Sequence, residues 1–92
     1  MTDNVQSATQ RTGEAYIYQW DCSRTTTRLG MAPTGAVWSA SGSNVALSAP
    51  TLVGNIVSTL VTSINVGTTA VNTTVSFGSQ IAVFTINVTV TP

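Results

Sequence analysis

The sequence of 92 residues contains no histidine, no lysine and a single cysteine, and only 7% of its residues are charged. Histidine and lysine perform much of the general acid–base and Schiff-base chemistry of enzymes, so the chain lacks the commonest side chains for catalysis. One cysteine excludes an intrachain disulfide, and without histidine it cannot complete a zinc site of cysteine and histidine ligands. These absences predict a protein that is not an enzyme and uses no cofactor and no metal.

The three acidic residues do not form a catalytic pair. Asp3 lies near the start of the sequence, and Glu14 and Asp21 are seven residues apart. On one β-strand this odd spacing places the two carboxylates on opposite faces, so they cannot flank one glycosidic bond. We therefore expect no small-molecule substrate.

The six charged residues all lie in the first third of the sequence, and residues 29–92 contain none. Soluble domains commonly carry about 25% charged residues, and charges on edge strands keep sheets from associating. The uncharged segment predicts a subunit that packs against other proteins and copies of itself. The alternative is a monomer whose serine, threonine and asparagine side chains supply enough surface polarity.

The same composition excludes two further classes of partner. A net charge of zero without a basic cluster argues against nucleic acid, because lysine and arginine supply most of the affinity for phosphates. No apolar run approaches the length of a membrane span. The first ten residues also lack the basic and apolar regions of a signal peptide, so we expect synthesis in the cytoplasm without secretion by that route.

The hydrophobic pattern predicts short β-strands separated by glycine, asparagine, serine and proline. Period-2 alternation is clear over residues 14–22 and clearest over residues 80–91. The remaining predicted strands are residues 36–41 and 45–48, which we expect to form a hairpin, residues 56–64, expected to be an inner strand, and residues 71–77. Residues 23–35 contain several helix breakers and predict a loop with at most one short helical turn.

About six to seven short strands rich in valine, threonine and isoleucine predict an all-β fold, an antiparallel immunoglobulin-like β-sandwich formed by residues 13–92. The predicted core residues are Trp20, Trp38, Leu60, Phe77, Phe84, Ile86 and Val88. Residues 1–12 are polar and show no periodicity, so they predict a flexible N-terminal arm.

The polar and charged residues of the first third are candidate partner contacts, because disordered arms often become ordered on a neighbouring protein. These candidates are Asp3, Gln6, Gln10, Arg11, Arg24 and Arg28. The alternative for the arm is a mobile end without a binding role.

Two features of the first predicted strand have alternative interpretations. Tyr16, Tyr18 and Trp20 share one face and either stack on sugars or, as is more usual for aromatics in line on one strand, belong to the core. Cys22 is either a reactive thiol beside Arg24 or a small buried apolar residue, and the second role is the commoner one.

Several short motifs carry a resemblance to a known family. They are Tyr16-x-Tyr18-x-Trp20-Asp21, Val37-Trp38-Ser39, Val45-Ala46-Leu47-Ser48-Ala49 and Val66-Gly67-Thr68-Thr69-Ala70-Val71. Over about residues 14–90 the sequence resembles small immunoglobulin-like structural proteins of tailed bacteriophages, of the fiber-tail adaptor type. The resemblance implies a non-enzymatic virion protein that joins tail or connector components in multiple copies.

Two other functions remain open at this level. A capsid decoration or cement protein would use the same uncharged sandwich, with the predicted arm laid across a neighbouring subunit. A module that binds carbohydrate on the host surface would use the Tyr16 to Trp20 face and is the less favoured of the two. The resemblance implies a location in the virion, and we expect other virion proteins and copies of this chain as partners.

Overall fold

The structure, a computed structural model, describes residues 5–92 and is built almost entirely of β-strands. Within these residues the elements are β1 (Val5–Arg11), β2 (Ala15–Asp21), α1 (Ser23–Leu29), β3 (Gly35–Ala40), β4 (Val45–Val53), β5 (Ile56–Ser63), β6 (Gly67–Phe77) and β7 (Gln80–Thr91). The strands form a four-stranded sheet in the order β1-β7-β6-β3 and a three-stranded sheet in the order β2-β5-β4. Two sheets of four and three strands confirm the predicted all-β sandwich.

One strand pair departs from the predicted antiparallel arrangement. β1 and β7 run parallel, with Val5 paired to Thr85 and Arg11 paired to Thr91. Parallel neighbours need a long connection, and here β2 to β6 provide it. The other ladders in the described part of the chain are antiparallel.

The prediction of a flexible arm is wrong for the described residues 5–12. Residues 5–11 form β1, and the Thr12 amide donates a hydrogen bond of 2.9 Å to the Thr91 carbonyl. The inward-facing side chains of β1 are Gln6, Ala8 and Gln10, whose register partners on β7 lie on its core face. Because two of these three are polar, the strand shows no apolar alternation in the sequence.

The predicted hairpin of residues 36–41 and 45–48 is also wrong, because β3 and β4 belong to different sheets. Residues 41–44 carry the chain across the sandwich. Asn44 anchors this crossing, since its Nδ2 donates to the Val66 carbonyl at 2.9 Å and its Oδ1 accepts from Thr69 Oγ1 at 2.9 Å. β4 then continues past Pro50 to Val53, with a register shift between Ser48 and Thr51.

Five of the seven predicted core residues are buried: Trp20, Phe77, Phe84, Ile86 and Val88. Trp20 and Phe84 join the two sheets through stacked rings, with centroids 4.9 Å apart. Trp38 is half-buried at the sheet edge and packs against this core. Large apolar residues therefore dominate the centre, as the sequence predicts.

The burial prediction is wrong for Leu60, which lies half-buried on the outer face of β5. The inward face of β5 instead presents Val57, Thr59 and Val61. Thr59 is accommodated because its hydroxyl donates to the Ser48 carbonyl at 2.9 Å. Apolar residues on both faces of residues 56–64 left the register of this strand undetermined by pattern alone.

The segment predicted as a loop with at most one helical turn contains α1, about two turns long. It ends at Gly30, whose φ of 74° lies in the left-handed region that favours glycine after a helix. Among the described residues, no helix is long and apolar enough to cross a membrane.

Candidate functional site

The charged residues within the described part of the chain lie at two ends of the sandwich. Arg11 and Glu14 flank the turn between β1 and β2, whereas Asp21, Arg24 and Arg28 lie at the far end of β2 and on α1. The seven residues of β2 separate the two groups by roughly 20 Å. The predicted contact residues therefore do not form one patch.

The structure places the predicted contact residues in different environments. Gln6, Arg11, Arg24 and Arg28 are exposed. Asp3 lies outside the described residues. Gln10 is 1% exposed, so the prediction that it contacts a partner is wrong.

Gln10 instead joins β1 to the opposite sheet through a buried hydrogen-bond network. Its Nε2 donates to Ser63 Oγ at 2.7 Å, to the Glu14 carbonyl at 3.1 Å and to the Val61 carbonyl at 3.2 Å. Its Oε1 accepts a hydrogen bond of 2.7 Å from the Tyr18 hydroxyl. Every polar atom of this buried amide has a partner, which offsets the cost of removing it from water.

The aromatic residues of β2 do not form an exposed platform. Trp20 is buried against Phe84, and Tyr18 is half-buried with its hydroxyl bound to Gln10. Tyr16, at the start of the strand, is the exposed member of the three. Tyr18 and Trp20 thus belong to the interior, the interpretation that the sequence favours.

Cys22 is 1% exposed and adjoins the core. Burial raises the pKa of its thiol, and the neighbouring Asp21 carboxylate raises it further. Asp21 stays ionised readily, because hydrogen bonds from the Ser23 hydroxyl and amide lower its pKa. A reactive thiol requires a lowered pKa, so Cys22 fits the role of a buried apolar residue.

The four edge strands differ in how they are protected against association. β4 is interrupted by the register shift at Ala49, whose φ is 50°, and Pro50, which has no amide hydrogen to donate. β2 is preceded by Glu14 and ends at Asp21, so it has a carboxylate at each end, and β1 ends at Arg11. β3 has no charge, no proline and an unbroken register with β6. It is therefore the least protected edge of the described structure.

A groove of about 280 Å³ opens between β3 and β4, beneath this edge. Apolar side chains dominate its lining, which comprises Ala36, Val37, Trp38, Leu47, Ser48, Pro50 and Thr59. Val37 points outward from β3 and is 69% exposed. The β3 edge thus combines an available backbone with an uncharged, largely apolar surface.

The sequence alone does not predict this edge as a candidate site. Residues 36–41 are predicted as a strand, but whether a strand lies at an edge depends on the strand order of the sheet. The sequence offers no signal specific to this edge, because the absence of charge extends over all of residues 29–92.

No family model and no curated protein matches the chain. Among solved structures, the fold is similar to part of an endo-fucoidan hydrolase of glycoside hydrolase family 107, with a TM-score of 0.64 and 14% identity. That match covers 98% of this chain and 13% of the hydrolase. A cysteine protease inhibitor, EhICP2 from Entamoeba histolytica, matches with a TM-score of 0.54 and 15% identity over 92% of this chain and 97% of the inhibitor. At this identity both similarities concern the fold alone.

Proposed function

We propose that the protein is a non-enzymatic structural subunit of a bacteriophage virion that joins tail or connector components in multiple copies. The single observation that carries the proposal is the open β3 edge within an uncharged surface. Residues 29–92 contain no charged side chain, and they include both β3 and the groove beside it. Such an edge favours association through main-chain hydrogen bonds and apolar contacts.

The resemblance to fiber-tail adaptors supports the same function from the sequence. The motifs that carry this resemblance lie in β2, in β3, in β4 and at the turn that leads into β6. Other virion proteins and copies of this chain are the proposed partners, and the virion is the proposed location. The absence of histidine and lysine from the sequence is in keeping with a role that involves no catalysis.

The two alternative functions depend on features that the structure arranges differently. A decoration protein attached by an N-terminal arm needs residues 5–11 to be free, whereas they form β1. A carbohydrate-binding face needs exposed rings at Tyr18 and Trp20, which are half-buried and buried. The adaptor function requires neither feature.

The test is to locate the chain in purified particles of a phage that encodes it. Particles are banded on a density gradient, tails are separated from capsids, and both fractions are analysed by peptide mass spectrometry. We expect peptides of this chain in the tail and connector fraction. Peptides confined to the capsid fraction would support the decoration alternative, and their absence from purified particles would refute a virion role.

A further inference from the structure

We propose that β3 pairs antiparallel with β3 of a second copy about a twofold axis at Val37, which joins two four-stranded sheets into one of eight strands. This inference rests on the proposed function, because it names one partner of a subunit present in multiple copies. Three observations support it. β3 contains no charge and no proline, its residues alternate between the inner and outer faces of the sheet, and large side chains would meet small ones across the axis.

The absence of charge and proline from β3 favours pairing with a second copy of the same strand. An antiparallel twofold contact places each residue of a strand opposite the residue equally far on the other side of the axis, so the two ends of the strand meet. At β2 such a contact would bring the Asp21 and Glu14 carboxylates of both copies to the same interface, and at β4 Pro50 removes a donor. At β3 a second copy introduces no charge and no interruption.

The alternation of faces restricts how two β3 strands can pair. Ala36, Trp38 and Ala40 face the core, because their partners on β6 are Val75, Thr73 and Val71, all buried. A twofold axis perpendicular to the sheet keeps the outer face of both copies on the same side. Residues with odd numbers must therefore pair with odd-numbered ones, since a slip by one residue would mix inner and outer faces.

Among the allowed registers, an axis at Val37 fits the side chains best. It places Trp38 of each copy opposite Ala36 of the other, a large residue against a small one. It also pairs Val37 with Val37 of the second copy, which covers a side chain that is 69% exposed in the monomer. An axis at Trp38 sets two indoles directly opposite each other, and an axis at Ser39 leaves Gly35, Ala36 and Val37 without partners in β3.

Sedimentation velocity over about 1 μM to about 1 mM, the range of weak association, tests the pairing with the intact chain. We expect the dimer fraction to rise with concentration. Val37→Lys should raise the dimer dissociation constant by about tenfold or more, because like charges would lie directly opposite each other. Val53→Lys is the matched control, since Val53 is 73% exposed on edge strand β4, and it should leave the constant unchanged.

Mixing the Val37→Lys chain with a Val37→Glu chain should restore dimers, because opposite charges would then meet across the axis. Equal effects of Val37→Lys and Val53→Lys, or no rescue in the mixture, would overturn the assignment. A wild-type chain that stays monomeric over the whole range would also overturn it. That last result would leave the virion role to be decided by the particle fractionation alone.

Disulfide trapping gives a second measurement that does not depend on the charged variants. Val37→Cys places two thiols directly across the axis, within the Cα separation of about 7 Å that a disulfide tolerates. Ser39→Cys, the matched control, places its thiols roughly 13 Å apart along the paired strands. The native Cys22 is buried and common to both variants. We expect the Val37→Cys chain to form covalent dimers under mild oxidation far faster than the Ser39→Cys chain, and the opposite order would refute the register.

Discussion

Replacement of Gln10 tests whether β1 is an integral part of the sandwich. Gln10→Ala removes the amide that binds Ser63, Val61 and Tyr18, and it leaves the Ser63 hydroxyl, in a side chain that is 3% exposed, without its donor. Each intramolecular hydrogen bond makes a net contribution of about 1 kcal/mol to the free energy of unfolding. Truncation of a buried side chain adds the loss of its packing contacts. We expect a destabilisation of about 3–4 kcal/mol, a large fraction of the roughly 5–14 kcal/mol available to a domain of this length.

A second substitution separates polar contacts from packing. Gln10→Met keeps most of the side-chain volume and removes only the hydrogen bonds, so its cost should be about 2–3 kcal/mol. Thr9→Ala is the control, because Thr9 is exposed on the same strand and its replacement should change stability by less than about 0.5 kcal/mol.

Equilibrium unfolding in urea measures these differences, with the fluorescence of the buried Trp20 as one probe and circular dichroism as another. The reasoning is refuted if both Gln10 variants unfold within about 0.5 kcal/mol of the parent, the margin typical of surface substitutions. That result would mean that residues 5–11 behave as an unattached arm.

Three further predictions concern the stability contributed by β1, Thr73 and Tyr18. Deletion of residues 2–11 should lower the melting temperature sharply, because it removes β1 and Gln10 together; an unchanged melting temperature in calorimetry would show that β1 is dispensable. Thr73→Val should raise the free energy of unfolding by about 1 kcal/mol, because the buried Thr73 hydroxyl has no hydrogen-bond partner among residues 5–92, and a loss of stability in urea unfolding would contradict this. Burial, followed by the nearby Tyr16 and Glu14, raises the pKa of Tyr18 above its ordinary value of 10.0, so the stability that this shift confers is complete below that pH and is lost as pH rises through the folded-state pKa. Urea midpoints measured across this alkaline range should fall less steeply for Tyr18→Phe than for the parent.

The elements that the sequence predicts correctly are those whose pattern is local. In β7, Phe84, Ile86 and Val88 alternate with polar residues, and the structure buries all three. The inward face of β2 is likewise evident from the spacing of Tyr18 and Trp20. Over residues 84–91 of β7 one face is apolar and the other polar, and in β2 the largest side chains share one face, so the periodicity determines which side is buried.

The elements that the sequence does not predict depend on contacts between distant residues. β1 is held by Gln10, whose burial is favourable only because Val61 and Ser63 lie opposite it, more than fifty positions along the chain. The burial prediction for Leu60 is wrong because β5 carries apolar residues on both faces. The β3 edge has the same origin, since the sequence predicts the strand but not its neighbours. Strand order, the property that creates this edge, has no local signature.

The parallel pairing of β1 with β7 also determines how the domain responds to mechanical force. Val5 and Thr91 lie at opposite ends of this ladder. Tension applied between these two residues pulls β1 and β7 in opposite directions along their common axis. All the inter-strand hydrogen bonds of the ladder are then loaded together in shear, instead of opening one after another as they would if a hairpin were pulled apart at its open end. A domain arranged in this way resists extension until the whole ladder ruptures at once.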